Sequence, residues 1–398
     1  MAVASRKRYS NAMKTITTTA ALAEFCDICS KHPYVTVDTE FLRERTYYSQ
    51  LCLVQMAYPG ADDSSGALID TLAEGIDLAP LYALFRNENV LKVFHAARQD
   101  LEIFVLNAGV MPTPFFDTQV AAMVCGFGDQ VGYDTLVRKI TRANIDKSSR
   151  FTDWSRRPLS DAQKSYALAD VTHLRDVYEY LAAELERRKR SHWVKEELAV
   201  LTDPATYKVD PETAWQRIKT RNNNGRFLAI VRELAAFREA DAQSRDVPRS
   251  RVMKDDAILE LAALRPGTLE ELGRARLLQR EGRKPAVSEA ILAAIARGMA
   301  TPGNEQPKVA EAPQRKQGSG ALGDLLRVLL KAKSEETDVA AKLLANAADL
   351  EALASDDDPD LPCLKGWRRE VFGEDALRLK AGKIALSAGP NGVEIVAR

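Results

Sequence analysis

The chain has 398 residues, a hydrophobic content of 45% and a formal net charge of +0. This length predicts two or three domains with sizeable cores. The neutral balance excludes a nucleic-acid partner that is recruited by overall positive charge, so any such binding must use local patches. No apolar run reaches the length that spans a membrane, so we expect no membrane partner.

The five cysteines are scattered along the chain, which indicates a reducing, cytoplasmic setting rather than a disulfide framework. Cys26 and Cys29 form an isolated CxxC within an apolar helical pattern, so burial is favoured over zinc binding or redox use. The basic start, residues 1–14, lacks the apolar segment of a secretory signal and is expected to be a loose tail.

The first 110 residues alternate between strand and helix patterns. Their periodicity predicts strands over 34–41, 49–58, 67–70 and 89–94, and helices over 19–30, 77–86 and 95–109. Strands that follow one another and then alternate with helices favour a mixed α/β sheet over a purely parallel one.

Two carboxylates close the first of these strands. Asp38 and Glu40 are spaced i, i+2, so both side chains point to the same face. Carboxylates this close repel each other unless a cation or a proton lies between them. A divalent metal with oxygen ligands, Mg or Mn, suits the pair. The alternative is a solvated edge strand with an acidic rim.

Further acids follow along the chain. Asp100 is predicted in the first turn of a helix, where it either stabilises the helix terminus or acts as a third ligand. The capping-box pattern that begins at Ser160 predicts the start of another helix. On that helix Tyr166 and Asp170 are i, i+4 beside the apolar stripe, where an acid needs a partner. Asp170 would be the fourth carboxylate.

Two segments are locally basic. Residues 138–157 hold seven cationic and two acidic side chains, with Phe151 and Trp154 among them. Basic and aromatic residues together suit a phosphate backbone and stacked bases, and a solvated loop is the alternative. The window 215–254, in a part of the chain with helical patterns only, holds ten cationic and four acidic residues.

Beyond this window, residues 301–319 have the composition of a linker, and the last residues alternate as a small hairpin around 389–392.

Three of these motifs together resemble the exonuclease motifs of the DEDD superfamily. They are Val37–Phe41, His95–Glu102 and Tyr166–Val171, and the tyrosine four residues before the last aspartate is similar to the DEDDy branch. Residues 46–55 and 153–159 resemble the bacterial ribonuclease D family, and residues 227–255 resemble its HRDC domain. The resemblance covers roughly residues 30–290.

The resemblance implies a ribonuclease-H-like α/β exonuclease domain with a mixed sheet, followed by two mainly helical HRDC-type domains. The expected limits are 15–195 for the exonuclease domain, 205–298 for the HRDC domain and 299–319 for a linker. A second HRDC-like domain with the C-terminal hairpin would occupy 320–398.

The resemblance also implies an activity, a 3′→5′ exoribonuclease that removes nucleotides one at a time by two-metal hydrolysis with Mg or Mn. The expected substrates are transfer-RNA precursors, and the products are nucleoside 5′-monophosphates. We expect a cytoplasmic monomer.

The implied catalytic residues are Asp38, Glu40, Asp100, Tyr166 and Asp170. The four acids would also hold the metals, with Asp38 shared between two ions, Glu40 and Asp170 on one and Asp100 on the other. Tyr166 would orient the attacking water rather than act as a base, because an ordinary tyrosine is protonated at neutral pH. Substrate contacts are assigned to Thr39, Phe41, His95, Arg156 and Arg157, although a structural role for His95 is favoured.

Two other functions stay open. A 3′–5′ DNA exonuclease would use the same chemistry, since recognition of a 2′-hydroxyl is not visible in sequence. A non-catalytic nucleic-acid-binding protein would keep the helical domains and a vestigial nuclease fold, but the complete set of acids argues against it. An unrelated acidic metalloenzyme would not explain the Tyr166–Asp170 helix turn.

Overall fold

The computed structural model of the protein describes residues 14–308, 318–390 and 392–398. The tail expected at the start of the chain, apart from Lys14, lies outside the described residues, and so does part of the expected linker. None of the helices in the described ranges combines the length and apolar character needed to cross a membrane.

The described residues contain one large sheet and one hairpin. The strands are β1 (Thr15–Ile16), β2 (Tyr34–Leu42), β3 (Gln50–Ala57), β4 (Gly66–Asp70), β5 (Leu91–Phe94), β6 (Phe115–Asp117), β7 (Ile384–Gly389) and β8 (Gly392–Ala397). The first six form a sheet in the order β1-β4-β3-β2-β5-β6. Strand β3 pairs antiparallel with β2 and β4, whereas the other pairs of this sheet are parallel. The expectation of a mixed sheet is therefore confirmed, as is the antiparallel hairpin β7–β8.

Helices surround the sheet and make up most of the remaining chain. Those of the first part are α1 (Thr19–Cys29), α2 (Ala79–Arg86), α3 (Arg98–Ala108), α4 (Thr118–Val124), α5 (Tyr133–Thr141), α6 (Asp161–Arg187) and α7 (Ser191–Thr202). Those of the second part are α8 (Gly225–Ser244), α9 (Arg249–Val252), α10 (Asp255–Leu264), α11 (Leu269–Gly273) and α12 (Pro285–Ala300). Those of the third part are α13 (Ser319–Thr337), α14 (Ala341–Leu344), α15 (Ala347–Ser355), α16 (Gly366–Arg368) and α17 (Glu374–Lys380).

Every strand predicted within the first 110 residues is present. Two short strands of the sheet, one within this range and one just after it, were not predicted. The missed strands β1 and β6 have 2 and 3 residues. Strands this short show no alternation that a sequence pattern could reveal, and their backbone pairing defines them. The predicted helix over 95–109 begins later, at Arg98, and ends as expected at Gly109, whose φ of 63° lies in the left-handed region.

Helix α6 crosses the face of β2 that carries the acids. The predicted capping box is present, because the Ser160 side chain accepts from the Gln163 backbone and the Gln163 side chain accepts from the Ser160 backbone. One turn after Ala167, the Val171 carbonyl accepts a hydrogen bond from Thr36 Oγ1 at 2.8 Å. This buried bond fixes the position of α6 relative to β2.

Three groups of buried apolar residues follow one another along the chain: one around the six-stranded sheet, one within α8–α12 and one within α13–α17 and the hairpin. They support the proposed division into three folded units. Leu198 in α7 and Tyr207 lie beyond the expected limit at 195 and pack with the buried residues of the sheet domain. Helix α7 also contacts the third unit, because Trp193 of α7 stacks on Trp367 of α16 with ring centroids 4.6 Å apart.

Candidate active site

Two elements bring three of the predicted acids together. Asp38 and Glu40 project from β2 toward α6, which carries Asp170. Ligand oxygens of these three residues all lie within 4.8 Å of one another. Strand alternation and the placement of α6 account for the cluster. The alternation along β2 was predicted from the sequence, whereas the packing of α6 against β2 is seen only in the structure.

Asp100 lies outside this three-residue cluster but close enough to be affected by it. It is buried in the first turn of α3, and its Oδ1 accepts a hydrogen bond from Thr39 Oγ1 at 2.5 Å. The negative charge of Asp38 raises the pKa of Asp100, after the larger effect of burial. The fourth acid is therefore near Asp38 and is held by a side chain of β2.

The acids raise one another's pKa values. Burial raises the pKa of Asp38 to about 6. Burial, and then the charges of Asp38, Asp170 and Asp100, raise that of Glu40 to about 10. The pKa values of Asp100 and Asp170 are also well above the ordinary range, mainly because both are buried.

Carboxylates in such a group cannot all ionise without a compensating positive charge. Oxygen ligands with this charge fit a divalent cation such as Mg or Mn. The residues present therefore fit a metal centre.

Tyr166 lies one helical turn before Asp170, close enough for the Asp170 carboxylate to influence its hydroxyl. Burial and the charges of Asp170, Glu40 and Asp38 raise the pKa of Tyr166. The phenol is consequently protonated at neutral pH and acts as a hydrogen-bond donor, not as a base.

Tyr133 at the start of α5 was missed by the sequence analysis. Its hydroxyl donates to the carbonyl oxygens of Asp170 at 2.7 Å and Ala169 at 3.2 Å. Tyr133 thus fixes the backbone turn of α6 that carries Asp170. No local pattern signals this contact, because the two residues are 37 positions apart in the chain.

Gln55 was also missed. It lies opposite Asp38 in the β2–β3 register, and its side chain is fully buried. Neither polar atom of its amide has a hydrogen-bond partner among the described residues. A buried amide in this state beside an acidic cluster is further support for a site that takes up a polar or ionic group.

Three of the residues assigned to substrate contacts have other roles in the structure. Thr39 is buried and holds Asp100. His95 shares a hydrogen bond between its Nδ1 and Thr118 Oγ1 at 2.9 Å, and burial lowers its pKa, which favours the neutral, structural histidine.

Arg157 donates to both carboxylate oxygens of Asp70 at 2.7 Å and to the Cys52 carbonyl at 2.8 Å. Further hydrogen bonds to the Trp154 and Arg156 carbonyls leave all three of its nitrogens occupied within the protein. A substrate contact by Arg157 therefore has no support in the structure.

The two other expected substrate contacts remain available. Arg156 is exposed, with 83% of its side chain accessible, and Phe41 is partly buried at the end of β2.

Between Glu40 and Phe41 the register with β3 shifts by one residue, so Cys52 has no partner in the pairing. The Cys52 carbonyl is the one that Arg157 occupies, and Arg157 thereby supports this irregularity beside Glu40.

The two aromatic residues of the basic segment differ. Trp154 is 2% exposed and packs with Ala167 and Leu168, so its expected role in stacking bases is wrong. Phe151, by contrast, is 91% exposed and lies under the Arg150 guanidinium, 5.2 Å from the ring centroid. The charge of Arg150 lowers the pKa values of Glu40 and Asp170, which places it near the acids.

Comparisons with known proteins match this arrangement. The family described as 3′-5′ exonuclease matches residues 13–186, and the HRDC domain matches residues 227–296. Ribonuclease D of Jannaschia sp. is 63% identical over 382 residues, covering 96% of this chain and 99% of the relative. Ribonuclease D of Acidiphilium cryptum is 54% identical and covers 96% of each chain. The crystal structure of Escherichia coli RNase D, "an exoribonuclease involved in structured RNA processing", superposes with a TM-score of 0.80 at 30% identity, covering 94% of this chain and 99% of that chain.

A mixed sheet with clustered acids, followed by an HRDC domain, defines a nuclease of the 3′–5′ exonuclease class that uses divalent metal. More narrowly, the chain belongs to the ribonuclease D family, and it is a 3′–5′ exoribonuclease that acts on RNA. One HRDC domain is found, and the second, expected at 320–398, is not confirmed.

Proposed function

We propose that the protein trims the 3′ ends of transfer-RNA precursors one nucleotide at a time and releases nucleoside 5′-monophosphates. The observation that carries this proposal is the cluster of Asp38, Glu40 and Asp170, with Tyr166 one turn from Asp170. The ribonuclease D relatives support RNA as the substrate. Transfer RNA is the specific expectation that the experiment below tests.

Two divalent ions, Mg or Mn, would be held by the four acids. Asp38 would be shared, Glu40 and Asp170 would hold one ion and Asp100 the other. This division is supported by the three-residue cluster and by the separate place of Asp100 beside Asp38. When bound, such ions neutralise the phosphodiester, activate water and stabilise the leaving oxygen.

The protein's own groups position the reactants. In the reaction a water oxygen bonds to phosphorus, the bond to the 3′ oxygen of the preceding nucleotide breaks, and that oxygen takes up a proton. The Tyr166 hydroxyl, kept protonated by its surroundings, would donate a hydrogen bond to the attacking water. Tyr133 holds the Asp170 turn, and Thr39 holds Asp100.

The RNA body would lie along cationic side chains outside the metal site. Half of the ten cations in window 215–254 are used within the protein, since Arg226, Arg232, Arg238, Arg245 and Arg249 bond to acids or carbonyls. Arg217, Lys219 and Arg221 are exposed in the segment before α8. We infer that these three contact phosphates, which would make binding weaken with salt.

We also propose that the protein is a cytoplasmic monomer. The five cysteines, all free and buried, support a reducing compartment. Light scattering after size exclusion tests the monomer, because a mass of twice 44.0 kDa would contradict it.

The first test is time-resolved digestion of a 5′-labelled single-stranded RNA and its DNA counterpart, each with Mg, with Mn and with EDTA. We expect a metal-dependent ladder that shortens from the 3′ end of the RNA. Equal ladders on DNA would show a general 3′ exonuclease, and binding without cleavage would show a non-catalytic protein. A transfer-RNA precursor with a 3′ extension, compared with an unstructured RNA of equal length, tests the substrate class.

Variants test the residues. Asp38→Asn and Asp170→Asn should abolish turnover while the circular-dichroism spectrum stays unchanged. Tyr166→Phe should lose less, because only the hydroxyl is removed. Hydrolysis near the wild-type rate by either asparagine variant would contradict the assigned site, and an unaffected rate for Tyr166→Phe would remove the tyrosine from the mechanism.

A further inference from the structure

The loop that follows the catalytic strand is bound by the HRDC domain. Residues 43–49 join β2 to β3 and form no regular secondary structure. The Asp246 carboxylate, just beyond the end of α8, accepts hydrogen bonds from the backbone N–H groups of Tyr47 at 3.0 Å and Tyr48 at 2.9 Å. A single HRDC side chain thus takes up two successive donors of this loop.

The Tyr47 side chain enters a polar pocket of the HRDC domain. Its hydroxyl donates to the Glu239 carboxylate and accepts from Arg249 Nη2 at 2.8 Å and Gln243 Nε2 at 3.1 Å. The Arg249 guanidinium also lies over the ring, 4.6 Å from its centroid, and bonds to Glu239 through Nε at 2.6 Å.

Glu239 is 1% exposed, so its carboxylate is shielded from water. Burial raises its pKa, but hydrogen bonds from Arg249 and Tyr47 outweigh that effect, and the pKa of Glu239 lies below its ordinary value. A buried carboxylate depends on the hydrogen bonds that it accepts. Removal of the Tyr47 hydroxyl would take away one of the hydrogen-bond donors of Glu239.

The other side of the loop is attached to the helix that carries Asp100. Arg43 pairs with Glu102 of α3 at 2.9 Å, and Asn107 of α3 donates to the Ser49 carbonyl at 3.4 Å. The loop begins three residues after Glu40 in the sequence. It is therefore held between the HRDC domain on one side and the Asp100 helix on the other.

We propose that Tyr47 is a positioning residue through which the docked HRDC domain fixes loop 43–49, and with it the end of β2 and the start of α3, in the geometry that hydrolysis needs. The proposal rests on the proposed site of Asp38, Glu40, Asp100 and Asp170. It gives the HRDC domain a role in the chemical step in addition to any contact with the RNA body. Small displacements of catalytic groups by remote contacts are enough to slow an enzyme strongly.

The test uses the full chain and compares a short substrate, which limits contacts with the HRDC surface, with a long one. Steady-state kinetics on an RNA tetranucleotide and on a transfer-RNA precursor would be measured for wild type, Tyr47→Phe and Asp246→Ala. Tyr48→Phe is the matched control, because the Tyr48 hydroxyl makes no hydrogen bond with the described residues while its backbone N–H is retained.

We expect Tyr47→Phe to lower kcat on the tetranucleotide on the order of tenfold with KM nearly unchanged. Asp246→Asn should retain most of the activity that Asp246→Ala loses, since an amide oxygen still accepts from both N–H groups and asparagine tolerates the positive φ of 48° at this position. Hydrogen exchange should show faster exchange in loop 43–49 for Tyr47→Phe and not for Tyr48→Phe.

Two results would overturn the proposal. The first is an unchanged kcat on the tetranucleotide with a raised KM only on the long substrate, which would reduce the HRDC domain to RNA binding. The second is equal loss in Tyr47→Phe and Tyr48→Phe. The proposed site is tested separately, because wild-type hydrolysis of the tetranucleotide and its loss in Asp38→Asn do not depend on Tyr47.

Discussion

The Thr39 hydroxyl donates a hydrogen bond to Asp100 Oδ1 at 2.5 Å and joins the catalytic strand to the acid at the start of α3. Asp100 is buried, and Thr39 is its side-chain hydrogen-bond donor in the structure. Thr39→Val keeps the shape of the side chain and removes this donor. We expect the cation concentration for half-maximal activity to rise about tenfold, as for other side chains that orient metal ligands.

Thr39→Ser is the control for this prediction, because serine keeps the hydroxyl and should retain the wild-type metal dependence. Titration of Mg and Mn in the digestion assay measures the effect. Identical titration curves for wild type and Thr39→Val would show that the hydrogen bond does not position Asp100 for a metal.

The metal-free protein should lose stability as pH rises. Burial raises the pKa of Asp38 to about 6, and burial with neighbouring charges raises that of Glu40 to about 10. Unfolded Asp and Glu titrate near ~4, so above that pH the folded state binds more protons than the unfolded state. The free energy of unfolding therefore falls with rising pH, from about pH 4 through the folded-state pKa values.

Denaturant unfolding in EDTA at pH 5 and pH 8 measures this dependence. Added Mg should restore the free energy of unfolding most strongly at pH 8, because more of the acids are ionised there and repel one another. Asp38→Asn should be less sensitive to pH than wild type in EDTA, since one of the repelling charges is gone. Stability that rises from pH 5 to pH 8 in EDTA, in wild type and variant alike, would contradict the strained acidic cluster.

The sequence predicted the parts of the site that depend on local spacing. Alternation along β2 placed Asp38 and Glu40 on one face, and the capping box with helical periodicity placed Tyr166 beside Asp170. It did not predict contacts between distant positions. Asp246 is 199 positions from Tyr47, and no spacing rule relates them.

The same limit explains the errors in the basic segment. Trp154 and Arg157 lie in a polar stretch whose composition predicts an exposed loop. In the structure Trp154 is buried, and Arg157 is paired with an acid from another part of the chain. Arg157 meets Asp70, which is 87 positions away. Such long-range pairs determine which cationic side chains remain free to bind RNA. The net charge of a sequence window therefore overestimates the number of cations that are available.

Arg157 should contribute to stability and not to substrate binding. It forms a two-point pair with Asp70, and both side chains are largely shielded from solvent. Removing a charged hydrogen-bond partner from such a site costs roughly 2 kcal/mol, so Arg157→Ala should lower the free energy of unfolding by about that amount.

KM for RNA should be nearly unchanged in Arg157→Ala, because KM does not depend on the fraction of the enzyme that is folded. Arg156→Ala is the control, because that side chain is exposed and should leave the unfolding free energy within experimental error of wild type. Unaltered stability together with a raised KM for Arg157→Ala would return Arg157 to the substrate contacts.

Phe151 should bind a base of the RNA close to the acids. It is the most exposed of the large apolar side chains in the described residues, and the cation above it, Arg150, acts electrostatically on Glu40 and Asp170. Stacking of a base on an aromatic ring contributes ~1–3 kcal/mol, so Phe151→Ala should raise KM about tenfold and leave kcat nearly unchanged.

Phe151→Trp should bind RNA at least as well as wild type, because the larger ring also stacks. Val200→Ala is the control for loss of an exposed apolar side chain, since Val200 is exposed and lies on α7, which carries none of the four acids. Arg150→Gln should reduce the slope of log affinity against log salt by about one, as expected for one lost phosphate contact. An unchanged KM for Phe151→Ala on single-stranded RNA would show that the Phe151 ring does not contact the substrate.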